Sequence, residues 1–183
     1  MRTCTLLALA FATTLAAPLS AQNVMVGGEA MFPAKDIVSN AVNSKDHTTL
    51  VAAVKAAGLV STLQGKGPFT VFAPINGAFA VLPAGTVDNL LRPENKGALT
   101  SVLTYHVLAG RYTARDIITA IRKGHGSATF TTVNGASLTA MMNGPMNVVL
   151  KDAHGGIASV STYDVLQSNG VIHVIDHVLL PGM

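Results

Sequence analysis

An α+β domain, with helices on one side of an antiparallel meander, follows from three features of the sequence. Between Asp36 and Ile121, apolar residues recur at intervals of three and four. After Gly126 the apolar period switches to two. The second region is also punctuated by Asn134-Gly135, Asn143-Gly144, Gly155-Gly156 and Asn169-Gly170. Asn-Gly between alternating strands is the strongest short hairpin signal.

In chain order, residues 22–34 mix glycine and proline with a few apolar side chains and read as a loose arm leading into the domain. Ile37, Val38 and Ala41, then Leu50, Val51, Val54 and Ala57, mark two short helices separated by the polar Asn43-Ser44-Lys45-Asp46, with Gly58 as a left-handed cap. Phe69–Ala73 is β-rich and apolar, bounded by Gly67-Pro68 and Pro74, and predicts a buried strand. Asn76 is placed to cap a helix running through Leu82. Pro93 opens a further helix with Leu99, Val102 and Leu103 as its buried stripe. Thr113 and Asp116 form a capping pair ahead of Ile117, Ile118 and Ile121. The strands expected after that are Ala128–Val133, Ser137–Met141, Asn147–Leu150, Ile157–Val160 and Val171–Leu180.

The first 21 residues read as a secretory signal peptide: Arg2 supplies a positive start, Leu6–Leu19 is almost wholly apolar, and Ser20-Ala21 supplies a small-residue exit before Gln22. The apolar run is about 14 residues, short of the roughly 20 that span a bilayer. An uncleaved anchor is the alternative. The lone Cys4 lies inside this segment, so the mature chain has no thiol and no disulfide. About 160 residues remain, enough for one domain with its own core. Removing Arg2 from 12 basic residues leaves a net charge of +2 against 9 acidic ones, scattered without a run, which argues against nucleic-acid binding.

Three stretches carry a family resemblance. Phe69-Thr-Val-Phe-Ala-Pro-Ile-Asn-Gly-Ala-Phe79, Leu103-Thr-Tyr-His-Val-Leu-Ala-Gly110 and Asn169-Gly-Val-Ile-His-Val-Ile-Asp-His-Val-Leu-Leu-Pro181 are similar to the first, central Tyr-His and terminal boxes of fasciclin domains, in the right order and spacing. The likeness covers residues 35–181. It implies a β wedge or sandwich with helices packed on one side, used in extracellular adhesion and matrix contacts, with no shared reaction. Some relatives bind hydrophobic pigments such as carotenoids. One departure is Ile75, where the family usually has Thr. The chain is therefore expected to be an exported protein, secreted or periplasmic, that binds an extracellular or cell-surface protein partner. The alternative is a carrier of a small hydrophobic ligand.

Tyr105 and His106 carry over from the resemblance as candidate partner-binding residues. Their own chemistry favours a buried polar pair in a strand, satisfied by backbone groups. His173 and His177, on one strand, would lie about 13 Å apart, too far to share an ion, with Asp176 on the opposite face. Neither a metal nor another cofactor is expected. Hydrolase, P-loop and dinucleotide signatures are missing, which argues against an enzyme. Met141, Met142 and Met146 surround Asn143-Gly144 and are candidate contacts for a hydrophobic ligand, or packing beneath a hairpin.

Overall fold

The computed structural model describes residues 23–182; the segment read as a signal peptide and the expected mature start at Gln22 lie outside them. The chain opens with a small ribbon, β1 (Met25–Val26) against β2 (Glu29–Ala30), which delivers Val26 and Met31 into the core. The arm is thus tied to the domain, because two of its apolar side chains find a buried place. Asp36 caps α1 (Ile37–Ala41) by accepting from the Ser39 N–H at 2.9 Å. A 3₁₀ turn leads into α2 (Thr48–Ala57), which Gly58 ends at φ 74° as the sequence predicts. Beyond α3 (Val60–Leu63), the helices α4 (Asn76–Ala80) and α5 (Thr86–Leu90) are short, and Pro93 starts the turn that feeds α6 (Lys96–Tyr105).

Two runs buried on both faces explain the centre of the sheet. β3 (Phe69–Pro74) and β9 (Gly170–Ile175) pair in parallel, from Phe69 opposite Gly170 to Pro74 opposite Ile175. Both faces of such a pair are covered, so neither run alternates. β4 (Val107–Ala109) flanks β3, while β8 (Ile157–Gln167), β7 (Asn147–Lys151), β6 (Ser137–Asn143) and β5 (Ser127–Thr131) follow β9, giving the order β4-β3-β9-β8-β7-β6-β5. The register of β8 shifts between Val160 and Thr162 and again before Val165, with Asp164 at φ 53°. Such bulges bend a strand. The sheet curls until Leu108 bridges Thr132, making a near-barrel.

The alternation along β3 and β9 divides the interior in two. Val71, Ala73, Ile172 and Val174 face a helical layer that contributes Leu50, Val54, Leu99 and Leu103. Phe72 and Ile175 point the other way, into the curl of the sheet, among Leu138, Val148 and Leu150. α7 (Ala114–Lys123) has the predicted capping box at Thr113 and Asp116 and adds Ile117 and Ile121 to this second cluster.

The helix from Asn76 ends at Ala80, short of Leu82, and further differences from the expected elements bear on the site. The Tyr105-His106 pair ends α6 instead of lying in a strand. Asn76 begins α4 without capping it; its side chain instead accepts from the Thr49 N–H at 3.0 Å and donates to the Lys45 carbonyl at 2.9 Å, capping α2 from outside. Ile75 occupies the cap position of α4 and supplies no hydroxyl. The last strand stops at Ile175, and the strand before it runs on to Gln167 because its bulges let it serve both β7 and β9.

Candidate functional site

His106 is fixed by two opposite hydrogen bonds. Its Nδ1–H donates to the Val102 carbonyl one turn back at 2.8 Å, and Nε2 accepts from the Leu179 N–H at 3.0 Å. Only the neutral ring can do both. Burial pushes the imidazole down to about 4, against smaller upward pulls from the Val102 carbonyl and Asp152. Tyr105 is wholly buried and donates its hydroxyl to the Ser137 carbonyl at 2.8 Å. Burial, then the charge of Asp152, raises its pKa. The pair therefore links α6 to β6 and to the C-terminal segment, and neither side chain reaches the surface of this structure.

The other histidines fall into two kinds. His173 is fully buried, donates from Nε2 to the Tyr112 carbonyl at 2.9 Å and stacks on Phe72 with centroids 5.7 Å apart. Burial lowers its pKa. His177 lies beyond the end of β9, so strand alternation no longer governs it, and its Nδ1 meets Asp176 Oδ1 at 2.9 Å. The opposite-face placement expected for Asp176 and His177 fails for that reason. Among the described residues no three His, Cys, Asp or Glu side chains converge as metal ligands.

The three methionines do not share a site. Met142 packs against the second cluster, Met141 is half-buried as the next residue along the strand, and Met146 is 72 % exposed in the turn between β6 and β7. The apolar space lies elsewhere, between the helical layer and β3, in a cavity of about 70 Å³ touched by Leu50, Val54, Leu63, Val71, Leu103 and Ile172. Preformed small-molecule sites run to roughly 300–1,000 Å³. A long ligand enters this cavity only if the helices move apart. A second hollow, of about 570 Å³, lies where β4 and β5 part, over Tyr112, Phe130 and Thr131. The first and central boxes line part of the first cavity, through Phe69, Val71, Phe72, Leu103, His106 and Val107, whereas no motif marks the second hollow. The single local hint is Ser127-Ala-Thr-Phe-Thr131, an edge strand with neither charge nor proline.

Comparison with known proteins places this architecture. The profile of the Fasciclin domain matches residues 45–181. Protein sll1483 of Synechocystis sp. is 46 % identical over 162 residues, covering 88 % of this chain and 82 % of that protein. Cell surface glycolipoprotein MPB83 of Mycobacterium bovis is 34 % identical over 171 residues, covering 90 % of this chain and 70 % of that one. Among solved structures, the FAS1 domain pair from the insect cell adhesion molecule Fasciclin I superposes with a TM-score of 0.69 at 21 % identity, over 80 % of this chain and 51 % of the solved one. The chain thus spans about half of that solved chain, and the likeness there is one of fold. With the three sequence boxes folded into β3–α4, α6–β4 and β9, the chain belongs to the fasciclin domain family.

Proposed function

We propose that this chain is an exported fasciclin-domain protein, secreted or periplasmic, that binds other proteins at the cell exterior in adhesion and catalyses no reaction. The observation that carries the reading is the match to the Fasciclin domain over residues 45–181, a fold shared with a cell adhesion molecule. The apolar run of residues 1–21 and the name of a cell-surface relative support export. Among the described residues, no helix is long and apolar enough to cross a membrane. Attachment of cells to surfaces coated with the purified protein tests the binding role, and attachment no greater than to bare surface counts against it. For export, N-terminal sequencing of extracytoplasmic material should begin at or near Gln22; an intact Met1 in the membrane fraction contradicts it.

A second reading, carriage of a small hydrophobic ligand such as a carotenoid, draws on the apolar cavity between the helical layer and β3 rather than on the methionines. Organic extraction of natively purified protein separates the two. A stoichiometric pigment or lipid favours the carrier, and a clean extract from protein that supports attachment favours adhesion.

A further inference from the structure

The seam of the near-barrel leaves main-chain groups of β5 unused. The Thr132 N–H donates to the Ala136 carbonyl at 3.0 Å, continuing the register in which Phe130 faces Leu138 and Ala128 faces Ala140. Hydrogen-bonded and non-hydrogen-bonded pairs alternate along an antiparallel ladder. Phe130 and Ala128 therefore direct their N–H and C=O groups to β6, while Thr129 and Thr131 direct theirs to the opposite edge.

β4 meets that edge only at its far end. The Val133 N–H donates to the Val107 carbonyl at 2.8 Å and Leu108 bridges Thr132; beyond that rung the strands part. Among the described residues, no strand pairs with this edge beyond the Leu108–Thr132 bridge, so the N–H and C=O of Thr129 and the N–H of Thr131 face no partner strand. They border the hollow of about 570 Å³, whose floor includes the edge-to-face pair of Tyr112 and Phe130, 5.3 Å between centroids. Natural edges are guarded by charge, proline, bulges or cover. Ser127–Thr131 has neither charge nor proline.

We propose that an uncharged, extended peptide segment of a partner protein occupies this seam and adds as a strand to the free edge of β5. Unpaired main-chain groups in a row select an extended backbone, because only a strand presents donors and acceptors at the same spacing. None of the side chains lining the hollow is charged, so a charged residue entering it would lose water without gaining a partner. A second folded copy joined only through the five residues of β5 would bury far less than the roughly 1,200 Å² of a stable dimer. A peptide needs no such area.

The test uses a blocked peptide of alternating Thr and Val, seven residues long with a lysine outside each end for solubility, titrated into the ¹⁵N-labelled secreted chain. Saturable amide shifts centred on Ala109, Thr129 and Thr131 are expected. Hydrogen exchange of the Thr129 and Thr131 amides, fast in the free protein, should slow by about tenfold or more on binding. N-methylation of the peptide at alternate amides should weaken it by about tenfold or more, as should Thr129→Lys, which sets a charge beside the edge. Thr129→Pro removes one free N–H; if it fails to fold, Thr129→Lys and the methylated peptide still decide. A flat titration, shifts confined to another surface, or slow exchange of both amides in the free protein would overturn the proposal. Because it rests on the protein-binding reading, attachment is measured on wild type and Thr129→Lys together. Equal attachment to both rejects the seam as the docking place and leaves that reading intact; no attachment to wild type strikes the reading and leaves the titration to decide the seam alone.

Discussion

The Leu179 N–H is buried beneath a side chain 1 % exposed, and the ring nitrogen of His106 is the acceptor that compensates it. Replacing His106 with Ala strands that donor, frees the Val102 carbonyl and opens a void at the end of α6. The expected loss is on the order of 1–3 kcal/mol, read as a lower denaturant midpoint. Attachment measured where both proteins are folded should be unchanged. Unchanged stability with attachment lost would instead make His106 a contact residue. That the pair would be bonded to backbone groups was legible, since polar side chains amid Leu103, Val107 and Leu108 need such partners wherever they sit. Its position at a helix end was not, because a short apolar run fits a buried helix turn as well as a strand.

Turn chemistry made the meander readable at the level of elements, and the Asn169-Gly170 turn shows what it leaves out. Gly135 and Gly144 follow asparagine at φ 88° and 83°, as tight hairpins require. Asn169-Gly170 looks the same in sequence but does a different job. Gln167 pairs with Gly170, so the two turn residues are Ser168 and Asn169, and Gly170 is the first residue of β9. It is glycine because the backbone of β3 passes against it: a Cβ there would sit 2.2 Å from the Phe69 carbonyl oxygen. Gly170→Ala should therefore cost about 1–3 kcal/mol by overpacking the parallel pair, despite the higher strand propensity of alanine. Thermal unfolding checks it, and a melting temperature equal to wild type would mean that the pair relaxes freely. Parallel pairing itself was illegible. It joins residues about a hundred positions apart, and local periodicity carries no sign of which distant strand lies alongside.

Across the whole molecule, three buried histidines set how stability responds to acid. His47, His106 and His173 all have lowered pKa values, in each case chiefly because burial disfavours the charged ring. His47 is held through Nδ1 by Ser44 at 2.8 Å, and its buried Nε2 has no hydrogen-bond partner among the described residues. In the unfolded chain each ring titrates near 6.5. Below that pH the unfolded state takes up protons that the native state refuses, so stability rises with pH through this range. The contribution is fully present above about pH 6.5 and is lost as pH falls toward the native values, which for His106 is about 4. A depression of that size in a fully buried ring corresponds to about 3 kcal/mol for His106 alone. Denaturant midpoints should be nearly level from about pH 7.5 to about pH 7 and fall from there to about pH 4.5, with proton uptake on unfolding rising toward about three per chain. The slope should shrink in His106→Asn, which keeps a donor and an acceptor but cannot titrate. Midpoints constant over this range would mean that the three rings reach water in the native state, contrary to the burial on which the helical layer, the curled sheet and the C-terminal segment depend.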